Sequence, residues 1–300
     1  MLFYPKQLLK KALPERTLTH LRRLHGERLR SRIASLPPIA EKMFSNILAN
    51  DLELRHGDMV LIHSSLDHLH LAFPFYRVLY LIREIIGSRG TMLFVTYPRQ
   101  PSYDFLRSGE NFDIRNTPSY TGILSEFARK QKSAIRSLHP TKSVCAIGEY
   151  AKELVKTHQA SPYPFDFCSP YHKMVDYDAK VIGLGVSTRF LSFVHCIDDA
   201  LKENFAIQPY HKQLFSAKCI NYENKTEVVN TYAHNMLKMN HDIPFFMQRY
   251  ISPDICRDIK IKGMEFFIAK VRNLFPAMIA LAENNITIYR KSSYKRNLLG

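Results

Sequence analysis

An α/β layered domain is what this sequence predicts, on three observations. Short apolar runs of strand length alternate with stretches of helical periodicity. Turn residues such as Gly and Pro mark the boundaries between them. Hydrophobic residues make up 46% of the 300 positions, enough to bury the core that packed layers require, which also excludes a disordered chain.

Taken in order, residues 1–38 form a basic segment distinct from the rest of the chain. Lys6, Lys10, Lys11, Arg16, Arg22, Arg23, Arg28, Arg30 and Arg32 face only Glu15 and Glu27. Leu8, Leu9, Leu13, Leu18, Leu21, Leu24 and Leu29 thread between them at helical intervals, the pattern of a basic amphipathic helix interrupted at Pro14. Such a helix can lie on an anionic lipid surface or turn its leucines onto the main domain. Pro37-Pro38 marks a turn, and Ile39, Met43, Ile47, Leu48 and Leu52 form a second helical stripe. The main domain, residues 39–290, then alternates. Val60-Leu61-Ile62 is a strand, Phe75 to Ile86 a helix, Gly87 to Gly90 a turn and Thr91 to Thr96 a strand. Further strands are expected at Ser143 to Ile147 and Lys180 to Val186, with helices at Ser119 to Gln131 and Gly263 to Glu283, the last broken or kinked at Pro276. Residues 291–300 form a basic tail.

Charge narrows the partners. The balance is +15, from 42 Lys and Arg against 27 Asp and Glu, which favours anionic partners without bearing on fold. No zinc-finger spacing, RNP-type aromatic stretch or long basic block supports nucleic acid, which is not expected. A membrane surface or a phosphorylated substrate fits better. Cys145, Cys168, Cys196, Cys219 and Cys256 are odd in number and widely spaced, so they read as reduced core thiols. No run of about eighteen apolar residues and no signal-peptide pattern is present. The expectation is a cytoplasmic protein, peripheral on the inner membrane face if the basic segment binds lipid, with its oligomeric state open.

Four segments place chemistry-bearing residues at strand ends, where α/β proteins bind ligands. His63-Ser64-Ser65-Leu66 ends the first strand, where backbone N–H groups could hold an oxyanion, or serine could simply cap a turn. Thr117-Pro118-Ser119-Tyr120-Thr121-Gly122, followed by Glu126, reads as a capped helix start. Arg136-Ser137-Leu138-His139-Pro140-Thr141-Lys142-Ser143 combines cations, hydroxyls and a histidine, either a seat for cofactor phosphates or a solvated basic loop. Last, His195 and Asp198 stand three apart, on one face if the stretch is helical. They could form a general base and its orienting carboxylate, or a core histidine satisfied by backbone. No third ligand at a recognisable spacing suggests a metal.

In this order the segments resemble the aminoglycoside 3-N-acetyltransferase family over about residues 40 to 285. The likeness rests on His63-Ser64-Ser65-Leu66, on Thr117-Pro118-Ser119 with Gly122 and Glu126, and on Arg136 to Ser143. It extends to Ser169-Pro170-Tyr171 and to Val186 with a His nine residues later, His195. Two departures fall in the last motif. Leu191 replaces a polar residue, and Asp198 replaces Glu with an arm one methylene shorter, which serves only if the backbone sits closer or a water bridges the gap.

The resemblance implies an α/β/α sandwich around a mixed central sheet and direct acyl transfer from acetyl-CoA to an amine, without covalent intermediate or metal. His195 would be the general base, with Asp198 supporting it. His63, Ser64, Ser65, Leu66, Arg136, Ser137, His139 and Ser143 would seat acetyl-CoA, with backbone N–H groups near Ser64 and Ser65 at the oxyanion. Thr117, Glu126 and Ser192 would face the acceptor. Because a net +15 repels a polycation, the acceptor expected is a nucleotide- or lipid-linked amino sugar of bacterial surface-polysaccharide synthesis. An aminoglycoside in antibiotic resistance is the alternative, and an inactive membrane-associated scaffold of the same fold a second.

Overall fold

The computed structural model describes residues 15–289. Helix α1 (Glu15–Ala34) half-buries Leu24, Leu29 and Ile33, while Leu21 stays exposed. The expected stripe before Glu15 and the basic tail 291–300 lie outside the described residues. Helix α2 (Glu41–Asn46) widens into a π-turn over Ile47–Asp51 and buries Phe44, Ile47 and Leu48.

Seven strands build the central sheet: β1 (Met59–Ser64), β2 (Thr91–Val95), β4 (Ile135–Arg136), β5 (Val144–Gly148), β6 (Lys180–Leu184), β9 (Cys256–Ile261) and β10 (Met264–Lys270). Their order is β4-β5-β2-β1-β6-β10-β9. β1 runs parallel to β2 and β6, and the remaining pairs are antiparallel. Side chains alternate across the sheet, so Leu61, Leu93, Val181 and Phe267 enter one core and Val60, Ile62, Met92, Phe94 and Ile182 the other. A strand buried on both faces reads as one continuous apolar run, which is why β1, β2 and β6 are legible. Over the second face lie α2, α3 (Arg77–Ile86) and α5 (Ile123–Arg129). Over the first lie α6 (Ala151–Val155), α7 (Pro170–Lys173), α8 (His195–Leu201), α9 (Ile243–Tyr250) and α10 (Val271–Glu283). The expected α/β/α sandwich around a mixed sheet is therefore present.

Three expectations are corrected. Gly263 to Glu283 is a strand followed by a helix. Lys262 and Gly263 adopt positive φ of 49° and 82°, a two-residue turn that pairs Ile261 with Met264 and inserts β10 between β6 and β9. The helix starts only at Val271 and continues through Pro276. The expected helix from Ser119 starts at Ile123, because Ser119 to Gly122 form a loop. Cys168 is partly exposed, whereas the other four cysteines are buried; all five are free thiols.

A second sheet, which no sequence pattern predicts, joins β3 (Phe112–Asp113), β7 (Tyr210–Ile220) and β8 (Thr226–His234). Phe105, in α4 (Ser102–Ser108), packs with Phe112, Leu138, Cys219 and Val229 beneath it. Close packing also places the site. A Cβ at Gly183 in β6 would stand 2.0 Å from the Phe267 ring, so only glycine admits Phe267, which in turn lies against His63 at 6.2 Å between ring centroids.

Candidate active site

The C-terminal ends of the parallel trio β1, β2 and β6 open on one region. His63 and Ser64 end β1, Tyr97 follows β2, and Ser192 and His195 follow β6. Helix α8 begins at His195, so the spacing of three sets His195 and Asp198 on one face. The His195 Nδ1–H donates to Asp198 Oδ2 at 2.9 Å. The shorter aspartate arm thus reaches the imidazole directly, without a bridging water. Tyr289 OH donates to the same Oδ2 and lies 3.4 Å from His195 Nδ1. With Nδ1 committed, Nε2 is the nitrogen left to accept a proton, and His195 keeps 8% of its surface exposed.

Electrostatics agree with a neutral imidazole. Burial lowers His195 to about 3, and the Lys142 charge pushes the same way. Burial raises the Asp198 carboxyl well above its ordinary value, against the hydrogen bond from Tyr289. Asp198 Oδ1 has no partner among the described residues, and the residue lines a small cavity with Val194, Phe205, Phe246 and Met278. Asp199 supports the arrangement from behind. Its carboxylate accepts from the Phe165 N–H at 2.7 Å and from Tyr210 OH at 2.7 Å, which fixes the Phe165 ring 5.4 Å from His195. Asp198→Asn keeps the shape but offers an amide in place of the acceptor that selects the Nδ1–H tautomer; kcat is expected to fall about 10²-fold or more with unchanged circular dichroism.

A second group adjoins the first. His63 Nε2 lies 3.2 Å from Ser192 Oγ, and burial lowers His63 to about 4. Tyr97 and Tyr171 share a hydrogen bond of 2.7 Å between hydroxyls. Ser169 caps α7 through His172 N–H, which holds Tyr171 in place. Leu191 is fully buried core rather than an acceptor contact.

The loop Arg136 to Ser143 does not present the groups expected to hold cofactor phosphates. Arg136 is 2% exposed. Its Nε donates to Thr96 Oγ1 and Ser143 Oγ, both at 3.1 Å, and its Nη1 to the Thr117 carbonyl at 2.6 Å, with the guanidinium 4.7 Å above the Phe112 ring. Burial lowers it to about 10, so it stays charged. A buried charge is tolerated only when its donors are satisfied in this way. Ser137 Oγ binds His158 Nδ1 at 2.8 Å and accepts from the Val144 N–H. His139 accepts from the Thr141 and Lys142 N–H groups and contacts Thr231 of β8. Ser143 Oγ donates to the Thr96 carbonyl. All four are buried and internally bonded, which holds the loop in place.

Thr117 and Glu126 likewise have partners within the fold. Thr117 Oγ1 accepts from the Asp113 N–H, closing a turn. Glu126 accepts from the Ser119 N–H and pairs with Arg129; burial raises its carboxyl, but those bonds outweigh it and leave it below its usual value. At the end of β1, the Ser65 N–H donates to the Leu184 carbonyl at 2.9 Å, which removes it as an oxyanion donor. Ser64 Oγ is buried with no partner among the described residues, and a Cβ at Gly122 would stand 2.9 Å from the Ser64 carbonyl. Ser64 and Leu66 thus stand at and just beyond the end of β1, next to His63. Among the described residues no cluster suits a metal.

The fold and site define a three-layer α/β protein with a histidine–carboxylate pair at the ends of its parallel strands. Residues 61–283 match the family model of aminoglycoside 3-N-acetyltransferase, and the chain belongs to that family. It is 26% identical over 173 residues to aminoglycoside N(3)-acetyltransferase IX of Micromonospora chalcea, 53% of this chain and 61% of that one. It is 29% identical over 167 residues to aminoglycoside N(3)-acetyltransferase VII of Streptomyces paromomycinus, 49% of this chain and 57% of that one. The chain thus matches about three fifths of these relatives' length. Among solved structures, aminoglycoside acetyltransferase AAC(3)-Xa superposes with TM-score 0.71 at 18% identity, covering 90% of this chain and all of that one. AAC-IIIb, solved as a binary complex with CoASH, gives 0.66 at 17% identity over 83% and 98%. AAC-VIa bound to sisomicin gives 0.65 at 21% identity over 83% and 99%.

Proposed function

We propose that this protein is an acetyl-CoA-dependent N-acetyltransferase acting on an amine of an amino sugar. The observation that carries the proposal is His195, its Nδ1–H held by Asp198 at 2.9 Å and its Nε2 left to accept, at the strand ends of a chain in this family. No covalent nucleophile is required. The acceptor amine attacks the thioester carbonyl, His195 Nε2 takes the amine proton, and Asp198 stabilises the imidazolium that forms. The proton then passes to the departing thiolate. Release of coenzyme A thiol in the presence of amino-sugar acceptors tests the reading, and none with any acceptor would end it.

The named relatives favour an aminoglycoside acceptor. A second reading, a nucleotide- or lipid-linked amino sugar of bacterial surface-polysaccharide synthesis, is favoured by the +15 balance, since an anionic carrier is attracted where a polycation is repelled. Comparing an aminoglycoside with an amino-sugar nucleotide as acceptors separates them. Among the described residues no helix is long and apolar enough to cross a membrane. The exposed cations Arg23, Arg28, Arg30 and Arg32 of α1 would suit contact with anionic lipid. The protein is expected to sediment with phosphatidylserine vesicles at low salt and to be released by about 0.5 M salt as the Debye length shortens; no sedimentation at low salt would reject membrane contact.

A further inference from the structure

Within the loop from Arg136 to Ser143, Lys142 differs from Arg136 in that, among the described residues, its charged end lies over an aromatic ring and not in a network of hydrogen bonds. Its Nζ lies 4.6 Å from the centroid of the Tyr97 ring. Tyr97 is bonded to Tyr171, whose ring lies 4.6 Å from Phe165, and Phe165 packs on His195. The titratable groups that the Lys142 charge acts on or lies against include Tyr97, His139, His195 and His234. His234 is buried, its Nε2 with no partner among the described residues, and burial holds it neutral with help from the Lys142 charge. No carboxylate pairs with Lys142 among the described residues, and residues 1–14 and 290–300 contain neither Asp nor Glu. Burial lowers its ammonium to about 8, so most of it is charged at neutral pH.

The Lys142 charge disfavours protonation of His195, and no carboxylate offsets that charge among the described residues. Acyl transfer supplies a counter-charge. When the amine nitrogen bonds to the thioester carbon, the carbonyl π-pair moves to oxygen. The negative charge lasts until the C–S bond breaks and the pair returns. The strand-end donor expected for that oxygen, the Ser65 N–H, is spent on Leu184. We propose that the Lys142 ammonium receives the oxyanion of the tetrahedral intermediate, a catalytic role that rests on the acetyl-transfer reading above.

The test uses the full chain, acetyl-CoA and a series of neutral, anionic and polycationic amino-sugar acceptors. Lys142→Met is expected to lower kcat about 10²–10³-fold for every acceptor alike, with acceptor KM little changed, as for loss of one oxyanion donor. Lys142→Arg is expected to recover roughly tenfold or more, because the charge returns in a different shape. The unsubstituted protein should lose kcat above about pH 8, and Lys142→Arg should not. A defect confined to KM for anionic acceptors would overturn the assignment in favour of an anion-binding residue. Turnover unaffected by Lys142→Met would overturn it outright. The absence of thiol release by the unsubstituted protein would instead defeat the acetyl-transfer reading, and the proposal with it.

Discussion

His195→Ala is expected to lower kcat for acetyl transfer by about 10²–10⁴-fold, the range for removal of a positioned general base. The two ring nitrogens are not equivalent. Nδ1 is bonded to Asp198, Asp198 to Tyr289, and the ring is walled by Phe165 and His234, 5.4 and 5.1 Å away between centroids. Only Nε2 is left to act. Acetyl-CoA affinity, measured by calorimetry, should change little, because the expected loss lies in the transition state and not in ground-state binding. The pH profile gives a second reading. Burial and Lys142 hold His195 at about 3, so its own protonation should not limit the rate near neutral pH. Normal turnover by His195→Ala with intact coenzyme A binding would remove the base from the mechanism.

The second large effect is acid unfolding well above the carboxylate range. His63, His139, His158, His195 and His234 are all buried. Burial lowers His63 to about 4, His158 and His195 to about 3, and His139 and His234 well below the ordinary 6.5. In the unfolded chain each takes a proton as pH falls below 6.5; in the fold each stays neutral. The unfolded state therefore binds more protons, and stability is lost as pH falls through that window. At pH 5 the loss is about 2 kcal/mol per imidazole. Asp198 and Asp199 work the other way, because burial raises both carboxyls and acid relieves the cost of their charge. Five imidazoles outnumber the two carboxyls, so the balance runs toward lost stability in acid, against a whole domain's margin of about 5–15 kcal/mol. The urea midpoint should drop steeply between pH 7 and pH 5. A midpoint flat down to pH 4.5 would mean that the histidines protonate in place.

The histidines also show where local sequence stops being informative. The order of the motifs singles out His195 and Asp198, which spacing alone leaves open; one turn of helix then sets the two on one face. Tyr289, which binds the same aspartate, carries no signal: it lies 91 residues away, in a stretch with no motif. Arg136, Ser137, His139 and Ser143 read as ligand-binding because their groups can bind phosphate. Their partners are Thr96, Thr117, His158 and Thr231, delivered by β2, two loops and the second sheet. Lys142, in the same loop, is the residue that faces the site, and nothing in the loop's composition distinguishes it.

The same division holds for the fold. By itself the sequence determined the strands β1, β2, β5 and β6 and the helix α3, since a two-sided apolar run or a helical stripe is a local property. Through the order of its motifs it also determined the family. Met264 to Lys270 reads as helix because an apolar run buried on both faces looks the same in a strand as in a helix; the turn at Lys262-Gly263 and pairing with two neighbours decided it. Tertiary structure alone decided which polar side chains bond to the protein and which are left for a ligand. A side chain's chemistry is written at its own position, but whether its hydrogen bonds are already made depends on segments that only folding brings together.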